Sequence, residues 1–384
     1  MLENNKRNRK NSDEITIIPV QNRALIRRFI KFPYSLYKND PYWVPPLLRA
    51  EWGTFHPKQN PHFLHSAVQL FIAKRFGQIV GRISAHEYRE YNRIHGSSAG
   101  FFGFFEAIHS QRVANELLNA AEEWLRKRGC KEMLGPCNFT VNDSSGMLID
   151  GFNEPPVVMM PYNPPYYPKM VEAYGLQKKH DQFAWKIDDQ RGMHPLAQRI
   201  AGLCRNMPGL VIRHLDMNHF EEELRRAYYV YSNAWNSAWG TIPPTWDEFY
   251  RLGRRFRRFG NPDYAWLIEL NDSPVGVGLA IPNIHEIMIK MNGRLLPFGF
   301  LRLFRAHKKI KSLRVLVMET IAGFENHGVD ALLYQHFYEQ ALKDGIHWAE
   351  LSWTLENNET MNRIMSVTGA QLYKKYRIYR RDLR

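Results

Sequence analysis

The 384-residue chain reads as a mixed α/β protein built twice over from one design. Three observations predict this. Strand-like runs and amphipathic helices follow one another in an order that occurs twice: strand, helix, hairpin, strand, helix, strand, helix, strand. Stretches of the two halves also match: "QIVGRI" with "SPVGVG", "LRKRGCKEMLG" with "LKDGIHWAELS", and "AYGLQKKHDQFAWKI" with "VTGAQLYKKYRIYRR". The length suits two domains at roughly 100–200 residues each. They are expected at 15–200 and 205–384, after a disordered basic tail, 1–14.

In the first half, "ITIIPV" (15–20) is a strand and 22–38 a helix. Prolines keep "PYWVPPL" (41–47) out of helix. "AVQLFIAKRFGQIVGRISA" (67–85) alternates around a Phe-Gly turn, as a hairpin does, and "AGFFGFFEAI" (99–108) is a further strand. Val113, Leu117, Ala121 and Leu125 recur at helical spacing between a Ser110 cap and Gly129. The strand "CKEMLGP", a short helix "YYPKMVEAYG" and the strand "LQKKHDQFAWKID" are expected to close the half. In the second half "GLVIRHLD" is a strand, "HFEEELRRAYYVYSNAW" a helix and 264–283 a hairpin around Asn-Asp-Ser-Pro. Strand 312–323, helix 329–343, strand "HWAELSW", helix "NETMNRIMSVTGA" and strand "QLYKKYRIYRRDL" follow.

A formal charge of +14 suits an anionic partner: nucleic acid, anionic lipid, a phosphorylated cofactor or an acidic carrier protein. The three cysteines form neither a disulfide framework nor a zinc-ligand pattern, so a reducing, cytoplasmic compartment is expected and no metal. No apolar run is long enough to span a membrane. Two segments, "RLGRRFRRFG" (251–260) and "GRLLPFGFLRLFRAHKKIKSL" (293–313), would form basic amphipathic helices suited to an anionic membrane surface. An ordinary surface helix packed on a sheet is the competing reading.

The element order is that of the GNAT acyltransferase fold, and the chain resembles a tandem pair of such domains. "VMETIAGFENHGVDALLY" resembles the family's fourth strand, cofactor turn and helix. A glycine-bearing turn that opens a helix offers backbone N–H groups to the pyrophosphate of coenzyme A. Of that signature only Gly328 matches; Glu325 and Asp330 depart from it. The first half lacks the glycine, although Ser110, Gln111 and Arg112 can face an anion. "NDPYWVPPL", "VGRISA", "GFFGFFEA", "GPCNFTVNDSSGMLIDGF", "PPVVMMPYNPPYY", "GRLLPFG" and "LSWTLENNETMNRIM" together resemble the bacterial ceramide synthase-like (YghO-type) group of GNAT proteins. That resemblance covers nearly the whole chain. It implies an N-acyltransferase that moves a fatty acyl group from a thioester, acyl-CoA or acyl carrier protein, to a sphingoid base such as 3-oxosphinganine in the cytoplasm; a lipid amine as substrate would make peripheral contact with the inner membrane useful. Two alternatives stand beside it: a tandem GNAT transferase fed by aminoacyl-tRNA, and a lipid- or partner-binding scaffold without catalysis. No RNA-reading motif is present, so nucleic acid is the less expected partner.

N-acylation needs an ammonium to lose its proton, an amine held against a carbonyl, and donors for the oxyanion. Glu106 and Glu319 stand at equivalent places on the fourth strand of each half, where the resemblance to GNAT proteins implies a base. A carboxylate paired with an arginine, or one exposed at the strand tip, is the plainer reading of each. "GPCNFTVNDSSGMLIDGF" (135–152) reads as a site wall, with Asn138 and Asn142 as donors and Asp143 and Asp150 facing an ammonium. A loop that satisfies its own backbone competes with that. Tyr162 is the candidate acid for the leaving thiolate; Asn163, Tyr166 and Tyr167 follow it as substrate contacts, with Arg82 on the hairpin, and simple packing of the rings between prolines is the equal reading. Asn357 and Asn358 match the family's recurrent Asn, and helix capping is the equal reading.

Overall fold

A computed structural model describes residues 14–140, 143–190, 192–234, 242–291, 293, 309–324 and 327–384. Residues 1–13 of the expected tail, Asn142, Glu325 and 294–308 of the basic segment lie outside the described residues. In chain order the strands are β1 (Thr16–Pro19), β2 (Ser66–Arg75), β3 (Gln78–Tyr88), β4 (Ala99–Ala107), β5 (Glu132–Gly135), β6 (Met147–Asp150) and β7 (Gln177–Asp188). They continue as β8 (Leu210–His214), β9 (Ala265–Leu270), β10 (Ser273–Pro282), β11 (Ser312–Thr320), β12 (Trp348–Leu355) and β13 (Gln371–Asp382).

The chain forms two compact units. In the first, β1, β2, β3 and β4 are antiparallel neighbours, and β5 runs parallel to β4. The β2–β3 hairpin turns at Phe76 and Gly77, both in the left-handed region. The helix Gln111–Lys127 crosses between β4 and β5 and lays Val113, Leu117, Ala121 and Leu125 on the sheet, all fully buried. Each such leucine contributes about 1.5–3 kcal/mol of burial. A Cβ on Gly100 would lie 2.4 Å from Leu125 Cδ2, so any larger residue there would have to push the Leu125 side chain aside. The opposite face is covered by the helix Arg23–Leu36, whose Phe29 and Ile30 pack with Phe55, Leu70, Ile72 and Phe139.

The second unit repeats the plan. Strands β8, β9, β10 and β11 are antiparallel neighbours, and β12 runs parallel to β11. The β9–β10 turn falls at Asn271 and Asp272, both with positive φ, as a two-residue hairpin requires. The helix Val329–Lys343 buries Leu332, Leu333 and Phe337 against Trp266, Ile268 and Ala280. The basic segment 251–260 falls largely in the helix Trp246–Phe259, opened by a capping box of Thr245 and Glu248.

The units are not contiguous halves of the chain, which corrects three expected placements. Met288–Arg302 and Lys375–Arg384, expected in the second domain, lie in the first unit, while 183–200, expected in the first, lie in the second. The strand expected to close each half therefore does not close it. Strand β13 pairs antiparallel with β5, Tyr379 opposite Gly135, and with β6, Arg377 opposite Met147. Tyr379 and Leu383 are buried in the first unit's core, which holds the strand end there. In the second unit's sheet the strand beside β12 is β7. The stretch 135–152, read as a loop wall, contains β6. The sequence reading also passed over the helices Leu48–Thr54, Arg89–His95 and Pro195–Arg205.

Candidate active site

In the first unit β4 bulges where Phe104 takes φ 47°, opposite β3 between Arg82 and Ser84. The last β4–β5 pair is Phe101 with Leu134. Beyond it, side chains and backbone from elsewhere in the chain fill the side of β4 that a parting strand would leave open. The Cys137 amide donates to Phe102 O at 2.8 Å, and the Phe104 amide donates to Asn138 Oδ1 at 2.7 Å. The Ala107 amide donates to Tyr167 Oη at 2.8 Å. Glu106 accepts from Tyr37 Oη at 2.5 Å and Tyr167 Oη at 2.8 Å, and Arg82 stands 3.7 Å away. Burial pushes the Glu106 carboxyl up, while Arg82 and the two hydroxyls pull it down. Burial and Glu106 together push both phenols well above the usual range.

An open groove of about 530 Å³ lies on the same unit, lined by residues that include Asp40, Tyr42, Phe152, Tyr162 and Pro165. Tyr162 Oη donates to both oxygens of Asp40, at 2.9 and 2.8 Å. Tyr37 stacks on Trp43 at 5.0 Å and leans on Tyr162 at 6.0 Å. Burial and Asp40 push the Tyr162 hydroxyl upward, which weakens it as an acid.

The second unit differs at the equivalent place. β11 bulges opposite Leu279 and Ala280, and its pairing with β12 runs from Ser312–Trp348 to Val315–Leu351. Both strands continue, to Thr320 and Leu355, unpaired with each other. Two parallel strands that part in this way leave backbone N–H groups facing the gap. Glu319 sits in this parted stretch of β11, opposite Val277 of β10. Among the described residues it makes no hydrogen bond and no ion pair, and burial pushes its carboxyl up to about 7. That is where a general base at neutral pH works best. Further down, the fully buried Glu350 is held by Ser352, Tyr373 and Arg314. Gly328 opens the helix Val329–Lys343 with φ 81°, and a Cβ there would lie 2.7 Å from Ile200 Cγ2.

Residues 30–144 match the model of the acetyltransferase (GNAT) family. The chain is 34% identical over 378 residues to the protein named bacterial ceramide synthase from Caulobacter vibrioides, covering 96% of this chain and 98% of that one. The chain belongs to this ceramide synthase-like family of GNAT acyltransferases. It is also 32% identical over 370 residues to protein YghO of Escherichia coli, covering 94% of each. A solved tandem GNAT protein from the clavulanic acid biosynthesis pathway shares the fold, with a TM-score of 0.59, 13% identity and coverage of 97% and 99% of the two chains. The protein is thus an N-acyltransferase, with an acyl thioester as donor and an amine as acceptor. Among the described residues no helix is long and apolar enough to cross a membrane, and no group of three or more His, Cys, Asp and Glu is placed to hold a metal.

Against this family frame the sequence-predicted residues fall into three groups. Glu106, Arg82, Tyr166 and Tyr167 come together in the first unit, where Tyr166 stacks on His109 and donates to Ala107 O. Asn138, Asp143, Asn163, Gln111 and Asn358 bond to groups of the protein's own framework instead, Asn138 to the Phe104 amide. Asp143 accepts from Thr140 Oγ1 at 2.8 Å, which closes its own turn. Buried Asn163 clamps β6 by accepting from the Leu148 amide and donating to Leu148 O. Gln111 donates to Asn115 and to Met170 O, and Asn358 caps the helix Glu359–Val367. Ser110 precedes the helix Gln111–Lys127 without a side-chain cap bond, and Arg112 lies in its first turn. The third group is exposed: Asp150, 3.7 Å from Lys375, and Asn357. Sequence reasoning missed Tyr37, Asp40 and Trp43 as site residues. Their signal was the clustering of aromatic, acidic and proline residues in "YKNDPYWVPP" after a helix.

Proposed function

We propose that this acyltransferase N-acylates a sphingoid base, taking a fatty acyl group from coenzyme A or acyl carrier protein. The observation that carries the reading is the full-length likeness, at 34% identity, to a protein named bacterial ceramide synthase. The second unit is the better seat for the chemistry. There the β11–β12 pairing stops at Val315–Leu351 and Glu319 makes no hydrogen bond or ion pair among the described residues, whereas in the first unit Asn138 and Tyr167 occupy the corresponding donors. Glu319, as carboxylate, takes the proton of the ammonium. The freed amine attacks the thioester carbon and a C–N bond forms; as the C–S bond breaks, the nitrogen sheds its second proton to the leaving thiolate, giving the amide and the free thiol. Backbone N–H groups of the parted strands carry the oxyanion. Glu106, tied by Tyr37, Tyr167 and Arg82, holds the first unit together.

The test is amide formation followed by mass spectrometry. Purified protein is offered long-chain sphingoid bases and simple amines with both donor types, beside Glu319→Gln, Glu106→Gln and Asp143→Asn. Loss of at least a hundredfold in Glu319→Gln, with activity kept in folded Glu106→Gln, is expected. The reverse pattern moves the site to the first unit. Absence of product with every sphingoid base, while a simple amine is acylated, removes the sphingoid reading.

A further inference from the structure

The helix Arg23–Leu36 of the first unit turns Phe29, Ile30 and Phe32 inward and leaves Arg23, Arg27, Arg28 and Lys31 exposed on its outer side. Arg23, Arg27 and Lys31 stand at i, i+4 and i+8, in one row about 12 Å long. The helix contains no Asp or Glu. On other surface helices a cation is matched three or four positions away: Arg93 by Glu90, Arg126 by Glu122, Arg225 by Glu221. Here none of the four cations has an ion pair among the described residues, and Arg23 lies over the ring of Trp52. Glu51, the carboxylate of the adjoining helix Leu48–Thr54, acts on Arg82 and Tyr34 instead.

This arrangement works against the fold. Like charges three or four positions apart on a helix repel, and Arg23–Arg27, Arg27–Lys31 and Arg28–Lys31 all stand so. Arg23 is also the first helical residue, where the backbone dipole disfavours a cation. A row that the described residues do not neutralise points to an anion outside the protein. The row leads on to Ser35 and Lys38, which line the groove of Asp40, Tyr42, Phe152 and Tyr162. A surface that meets the row therefore also meets the mouth of the groove. We propose that the helix Arg23–Leu36 rests on an anionic lipid bilayer, with Arg23, Arg27, Arg28 and Lys31 against lipid phosphates. A protein partner would need an apolar interface core and about 800 Å² on each side, and the outer side of this helix offers Ala24 as its one exposed apolar residue. Single-stranded nucleic acid calls for stacking platforms among the cations, and the row holds none. A charged bilayer asks only for cations near its surface, each worth roughly fivefold in affinity.

The test is flotation of the full chain with vesicles, read without turnover and so independent of the acyl-transfer reading. Vesicles of phosphatidylcholine alone are compared with vesicles in which part of it is replaced by phosphatidylglycerol. The unchanged protein should float with the anionic vesicles, more weakly as salt is raised. Arg27→Gln/Lys31→Gln should bind them about 25-fold more weakly. Its urea midpoint should be no lower than that of the unchanged protein, since all three repulsions go. Arg199→Gln/Arg363→Gln makes the same change of charge at exposed positions of the second unit. It should keep vesicle binding within about twofold, because charges beyond a Debye length are screened. Equal loss in the two variants would assign the binding to net charge and overturn the proposal. So would an unchanged protein that stays behind at low salt, or Arg27→Gln/Lys31→Gln floating as the unchanged protein does. A loss confined to a polyuridylate probe would give the row to nucleic acid and overturn it too.

Discussion

Glu319→Gln should make the protein more stable while abolishing its chemistry. A carboxyl whose folded pKa is raised from 4.5 to about 7 is bound to its proton in the folded state after the unfolded chain has released it. Between about pH 4.5 and 7 the unfolded state therefore holds fewer protons, and stability falls as pH rises. Below pH 4.5 both states are protonated and the residue costs nothing on this account. Above pH 7 both are ionised, and the full difference, up to about 3 kcal/mol, stands against folding. Glutamine carries no such burden. The expected result is a urea midpoint for Glu319→Gln above that of the unchanged protein at pH 8, with the two curves converging at pH 4. The same carboxyl predicts a turnover number that rises with pH and levels off above about 7. Equal stability of the two proteins at pH 8, or a variant less stable there than at pH 4 relative to its parent, would refute the reasoning that burial without partners sets this group.

Other substitutions test the frame around the site. Asn163→Ala removes a buried amide that clamps both polar groups of Leu148, leaving them unpaired; a loss of about 2–4 kcal/mol is expected in urea denaturation. Gly328→Ala meets a positive φ and a 2.7 Å contact with Ile200, and should lower stability by about 1–3 kcal/mol in the same assay. Glu106→Gln should cost stability through its tyrosine and arginine contacts, roughly 1–3 kcal/mol, with turnover unchanged when measured on the folded fraction.

The repeat was legible because both halves keep the periodicities of one sheet-and-helix plan. The helix Gln111–Lys127 and both hairpin turns followed from apolar spacing and from Phe-Gly and Asn-Asp at the bends. Strand placement was not legible. Alternation records which face of a strand is buried, and "QLYKKYRIYRRDL" has the same alternation whichever sheet it joins. The two glutamates were found as solitary carboxylates in apolar strands, but their difference was hidden. Glu106 is quenched by Tyr37 and Tyr167, 69 and 61 positions away, and only folding brings those hydroxyls to it. The wall read into 135–152 came from its polar composition. Composition does not separate a side chain that faces a substrate from one, such as Asp143, that closes its own turn.

The exchange of strand ends bears on how the chain is made. All of the second unit's residues precede Lys375, so a ribosome completes that unit before it releases the strand that closes the first. Until then β5 and β6 of the nascent first unit lack their partner, and the space taken by Tyr379 and Leu383 stands open to water. The unit whose strands precede the other's is then the later of the two to reach its final packing. A chain halted just short of Lys375 would leave an exposed sheet edge in the unit synthesised first, a template for wrong pairing and for chaperone capture.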